Sequence, residues 1–209
     1  MIRNFLTSRH KNFWKTRQID WKQSYWTPEH PHRELIIKAL KRIKFGSIIE
    51  VGCGAGANLG KIIQNFKGVA VGGIDINKDA IDTALEIFGN NADVLEVSSM
   101  DKIFLSDQSC DVILSDMTCI YADPFRIKTV IKEIRRVVRN NILLVEFHHE
   151  NWWKRQLLRL VSGYNSYNWK KLLESNGFYD IEMVKLSDKD WPGGQPQKDF
   201  AWIISAKKQ

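Results

Sequence analysis

The sequence predicts a three-layer α/β fold: a seven-stranded, mainly parallel sheet covered by helices on both faces, with the last strand antiparallel. Three observations predict it. From residue 45 onward, short apolar segments alternate with segments whose apolar residues recur at helical spacing. A glycine-rich turn joins the first such pair. The final two apolar segments have no helix between them, so they form a hairpin on a sheet otherwise built by crossover connections.

The elements follow in order. Ser47-Ile48-Ile49-Glu50-Val51 is an apolar strand ending in glycines, and residues 58–66 place Leu59, Ile62, Ile63 and Phe66 on one helical face. Residues 69–74 make a second strand, and residues 78–88 a second helix with Ala80, Ile81, Ala84, Leu85 and Phe88 aligned. Strands follow at 92–97, 111–115 and 141–147, with a helix over 124–138. Residues 169–175 read as a helix stopped by Asn176-Gly177, and strands at 181–186 and 200–206 flank a loop containing Pro192-Gly193-Gly194-Gln195-Pro196. In open sheets of this kind, ligands sit beyond the carboxyl ends of the strands.

With 209 residues the chain can bury one substantial core, expected over residues 33–209 and preceded by a segment of residues 1–32. There is no apolar run of roughly eighteen residues, and Met1-Ile2-Arg3-Asn4-Phe5 does not begin a secretory signal, so a cytoplasmic protein without a transmembrane segment is expected. Cys53, Cys110 and Cys119 form no Cys-x-x-Cys pair, which argues for reduced thiols over a disulfide framework or a zinc site. Residues 1–50 hold eleven Lys/Arg against Asp20, Glu29, Glu34 and Glu50, an excess equal to the whole net charge of +7. That excess is interleaved with Phe5, Phe13, Trp14, Trp21, Tyr25 and Trp26. It suits a lid, a nucleic-acid arm over residues 1–44, or attraction to an anionic surface.

Gly52-Cys53-Gly54-Ala55-Gly56-Ala57 lets the backbone turn sharply and approach a ligand, and it fits both a dinucleotide fingerprint and a nucleoside-donor turn. Asp75, ending the second strand, is placed to accept from a ribose diol in either case. Glu50 discriminates. A carboxylate beside the turn repels a pyrophosphate by about 1 kcal/mol or more at short range and attracts a cofactor that carries an ammonium and a sulfonium.

Glu50 to Gly56, together with Gly73-Ile74-Asp75-Ile76, resembles the first two motifs of the class I methyltransferase superfamily, a Rossmann-like family. Ser106-Asp107-Gln108-Ser109-Cys110-Asp111-Val112-Ile113 and the Gly177-Phe178 ending are similar to later segments of it. The resemblance implies S-adenosyl-L-methionine as cofactor, with S-adenosyl-L-homocysteine as product. It implies a cofactor-binding set of Glu50, Gly52, Cys53, Gly54, Gly56, Asn58, Asp75, Ile76, Ser99, Met100 and Asp116. Ser99 stands where many relatives carry an aspartate for the adenine amino group, and Asp101 is close enough to substitute.

On the acceptor side, His148-His149-Glu150 follows the fifth strand, and His30 and His32 precede the first domain helix. His148, His149 and Asp116 are the catalytic candidates, since a neutral imidazole or a carboxylate would take a hydroxyl proton. Trp152, Trp153 and Trp191 are candidate pocket walls. Asp111 to Met117 is similar to the corresponding stretch of heat-shock-type ribosomal RNA 2′-O-methyltransferases, but Glu146 stands where their second catalytic lysine would lie. The preferred expectation is methyl transfer to a small-molecule or sugar acceptor, at a hydroxyl oxygen. The alternatives are an RNA methyltransferase and a non-catalytic module retaining the fold.

Overall fold

The computed structural model describes residues 9–192, 194 and 196–209; Arg3, Phe5, Gly193 and Gln195 of the segments discussed above lie outside them. The order of elements is α1 (Arg9–Thr16), α2 (Trp21–Tyr25), α3 (His32–Leu40), β1 (Ser47–Val51), α4 (Ala57–Asn65), β2 (Ala70–Asp75), α5 (Lys78–Phe88) and β3 (Val94–Val97). There follow β4 (Cys110–Asp116), α6 (Ile127–Val137), β5 (Val138–Phe147), α7 (Trp152–Ser162), α8 (Trp169–Glu174), β6 (Phe178–Lys185), α9 (Gln197–Phe200) and β7 (Ala201–Lys208).

The seven strands form one sheet in the order β3-β2-β1-β4-β5-β7-β6. Strand β7 is antiparallel to both of its neighbours, and the other pairings are parallel. The expected fold class is therefore the observed one. Strand alternation divides the core: Ile48, Val112 and Leu143 pack with α3, α4 and α5 on one face, while Ile49, Ile113 and Leu144 pack with α6 and α8 on the other. Helix starts follow their capping chemistry. Asn77 accepts from the Ala80 amide, Asn151 from those of Trp153 and Lys154, and Asn168 from that of Lys171.

Expectation fails in three places, the first being the four-residue α9 between β6 and β7, where no helix was expected but which is too short for a crossover. Leu85, assigned above to the buried face of α5, is 45% exposed, because Ala80, Ile81, Ala84 and Phe88 already fill that interface. Helix α7 was not expected at all. Its apolar residues do not mark a core stripe, since only Leu158 among them is buried. Trp152 and Trp153 are exposed on it and do not line the cavity at the strand ends.

The chain leaves β1 toward β2 on one side and pairs it with β4 on the other, which opens a crevice at the strand ends. Among the described residues no helix is long and apolar enough to cross a membrane.

Candidate functional site

Strand register brings three carboxylates to one face of the sheet. Glu50 lies opposite Gly73 of β2 and Leu114 of β4. Asp75 and Asp116, each two residues further along, therefore project to the same face as Glu50. Glu146 does not. Its strand pairs Val145 with Asp116, so Glu146 points to the opposite face with Ser115.

Gly52 and Gly56 turn the chain with φ of +77° and +83°, and a Cβ at Gly52 would lie 2.2 Å from Thr118. The amides of Gly52 and Cys53 donate to Ile74 O, tying the turn to β2. Gly56 is the N-cap of α4, whose first residues, Ala57 and Asn58, then meet the crevice. The buried Asn58 amide bridges two acids, donating to Glu50 Oε1 at 2.6 Å and to Asp116 Oδ2 at 2.9 Å. Its carbonyl accepts from Arg33 at 2.5 Å.

The electrostatics separate the three acids. Burial pushes the Glu50 carboxyl up to about 8, against the lowering effect of the Asn58 hydrogen bond. Asp75 is also raised by burial, partly offset by the Asn77 and Gly54 amides that donate to it at 2.9 and 3.0 Å. Burial would raise Asp116 too, but His32, Arg33 and Asn58 outweigh it and hold that carboxyl well below its ordinary range. Glu50 Oε2 and Asp116 Oδ1 are buried without a hydrogen-bond partner among the described residues. Unsatisfied buried acceptors of this kind are costly unless a ligand supplies the donors.

A histidine chain runs from Asp116. The Nε2 of His32, a residue only 2% exposed, lies 2.8 Å from Asp116 Oδ2, and its Nδ1 lies 2.5 Å from His30 Nδ1. An ionised Asp116 places the His32 proton on Nε2, so His32 Nδ1 accepts from His30 Nδ1–H and His30 Nε2 keeps a lone pair. Burial, followed by His32 and Arg33, lowers the His30 pKa and keeps this imidazole neutral. Trp191 braces the pair, its ring centroid 4.3 Å from that of His32 and 4.8 Å from that of His30.

Helices α1 and α2 cover the opposite side. Trp14, Trp21 and Tyr25 form an aromatic cluster over the glycine turn, with Trp21 packed on Ala55 and Ala80. Lys11 reaches Asp101 at 2.7 Å, and Arg126 meets the same carboxylate at 2.5 Å. Ser99 Oγ also donates to Asp101. The indole N–H groups of Trp14 and Trp21 are buried and have no partner among the described residues.

One cavity of about 420 Å³ collects most of the expected site: Glu50, Gly52, Cys53, Gly54, Asn58, Asp75, Ile76, Ser99, Met100 and Asp116 all line it. Gly56 lies behind them, against Phe88. His148 and His149 are not among the lining residues. His148 pairs with Tyr167, and its Nδ1 accepts from the Trp169 amide at 3.1 Å, while His149 Nδ1 accepts from Asn151. The chain beyond β5 is bound to the α8 approach, which turns both imidazoles away. His30 and His32 line the cavity in their place, together with Arg33. The Arg33 contribution was not legible in sequence, because it depends on α3 packing against α4.

A family model described as a methyltransferase domain matches residues 48–141. No curated protein matches the chain significantly. Among solved structures, the YcgJ protein of Bacillus subtilis aligns with a TM-score of 0.64 at 14% identity, over 87% of this chain and 99% of that one. A putative sarcosine dimethylglycine methyltransferase from Galdieria sulphuraria gives 0.69 at 14%, over 85% of each chain. Magnesium protoporphyrin IX methyltransferase from Synechocystis, solved with its methyl donor bound, gives 0.62 at 14%, over 100% of this chain and 95% of that one. At these identities the structural likeness establishes the fold.

Proposed function

The chain carries a methyltransferase domain of the class I, S-adenosylmethionine-dependent superfamily, and from that premise we propose that it methylates a hydroxyl oxygen of a small-molecule or sugar acceptor. The observation that carries the oxygen assignment is the His30–His32–Asp116 chain bordering the same cavity as Glu50 and Asp75. Transfer to a hydroxyl is the case that gains most from a positioned base.

The residues fit the donor. Bound S-adenosyl-L-methionine supplies an electrophilic methyl on a sulfonium, leaving as S-adenosyl-L-homocysteine. The unpartnered Glu50 Oε2 suits an ammonium, and Asp75, which accepts from the Gly54, Ile76 and Asn77 amides, lines the cavity as an acceptor for a ribose diol. Ser98, Ser99, Met100 and Asp101 offer the rim for the base. His30 Nε2 takes the acceptor proton, His32 holds the His30 tautomer, and Asp116 stabilises the charge the pair gains. The protein's main contribution is alignment and exclusion of water. Helices α1 and α2 serve as the lid, since Lys11, Trp14, Trp21 and Tyr25 all line the cavity. Three free, buried cysteines suit a reducing, cytoplasmic setting.

Calorimetry tests the donor: binding of S-adenosyl-L-homocysteine is expected, and binding of NAD in its place overturns the reading. A labelled-methyl assay across hydroxylated sugars and phenols, resolved by mass spectrometry, tests the acceptor. A methyl ether is expected, and an N-methyl or C-methyl product overturns the oxygen assignment.

A further inference from the structure

Helix α7 is inverted relative to an ordinary surface helix. It buries Leu158 alone, while Trp153, Leu157, Leu160 and Val161 are exposed, Leu160 by 84% and Val161 by 80%. Their spacing places all four on one face. Trp152 extends that face, its ring 4.6 Å from that of Trp153. Lys154 borders that face, Arg155 and Arg159 lie on the other side of the helix with Leu158, and the helix carries no acidic residue. Glu150 precedes the helix, and Asp123 lies 3.8 Å from Arg159.

The end of α7 meets the basic N-terminal helix. A Cβ on Gly163 would lie 4.0 Å from His10 of α1, the helix that also carries Lys11 and Lys15. Tyr164, the next residue, lines the cavity. The exposed apolar face thus belongs to a helix with three cations that adjoins α1 beside the site.

We propose that the outer face of α7 docks on an anionic lipid bilayer, with the helix lying in the headgroup plane. Tryptophans at one end, aliphatic side chains along one face and cations around the rest of the helix, with no acid among its residues, match what an interfacial helix needs. A second copy of the chain would oppose cationic helix to cationic helix across a two-fold axis. RNA would draw on the cations and indoles but leave Leu157, Leu160 and Val161 without a partner. This surface is separate from the donor pocket, and the proposal does not depend on the acceptor's identity.

The test is co-sedimentation of the full chain with phosphatidylglycerol-rich vesicles, with pure phosphatidylcholine vesicles for comparison. Binding to the anionic vesicles is expected to be at least about tenfold stronger and to weaken as salt rises. Leu160→Glu and Val161→Glu should each reduce it by about tenfold or more while leaving the affinity for S-adenosyl-L-homocysteine unchanged. The proposal is overturned by equal or absent binding to the two vesicle types, or by retention in both glutamate variants. Absent vesicle binding together with a dimer that Leu160→Glu dissociates, or with salt-dependent RNA binding, would assign the face to those partners.

Discussion

His32 Nε2 lies 2.8 Å from Asp116 Oδ2, and through this one contact a buried carboxylate sets the tautomer of two imidazoles. Nitrogen-15 correlation spectra should show His32 protonated on Nε2 and His30 on Nδ1 at neutral pH. In Asp116→Asn the preference is lost. Spectra with His30 protonated on Nε2 in the native chain would exclude it as the base.

Glu50 links donor binding to pH. Its carboxyl titrates near 8 without a ligand, so a cationic donor that ionises it must release a proton at neutral pH. Calorimetry in buffers of different ionisation enthalpy should detect that proton, and Glu50→Gln should abolish it and weaken donor binding by about tenfold or more. The stability effect has the opposite sense. Because the folded pKa exceeds the unfolded one, Glu50 favours the folded state fully below about 4.5 and loses that contribution as pH rises through about 8. Thermal melts without ligand should therefore show Glu50→Gln gaining on the native chain as pH rises from about 4.5 to about 8, and holding that gain above it.

Glu146 is structural. It is completely buried and accepts from Ser115 Oγ at 2.8 Å and from the amides of Thr118, Cys119 and Ile120 at 3.1, 2.9 and 3.2 Å. Glu146→Ala strands these donors and should cost about 3 kcal/mol or more in urea unfolding. A loss of turnover without a loss of stability would instead give this residue a catalytic role.

Trp21 holds α2 on the glycine turn. Trp21→Ala should lower stability by about 3 kcal/mol and speed release of S-adenosyl-L-homocysteine in stopped-flow measurements. The Lys11–Asp101 pair is partly exposed, so Lys11→Ala should change stability by no more than about 1 kcal/mol while also speeding release.

The sequence by itself determined what local periodicity and chain order determine. Alternation of segments gave the parallel sheet, the absence of a crossover-length helix between the last two strands gave its antiparallel end, and the glycine turn with Glu50 and Asp75 marked the cavity. All of these are contacts within one strand–turn–helix unit or between neighbouring units. What tertiary structure decided is what depends on register and on packing across the chain. Whether an acid at a strand end faces the cavity follows from pleat parity, which includes Asp116 and excludes Glu146. Which histidines reach the site follows from α3 settling on α4 and from the segment after β5 pairing with Tyr167, which brings in His30 and His32 and leaves His148 and His149 outside. The exposed face of α7 belongs to the second group too. An apolar stripe reads the same in sequence whether it meets a core or an outside surface.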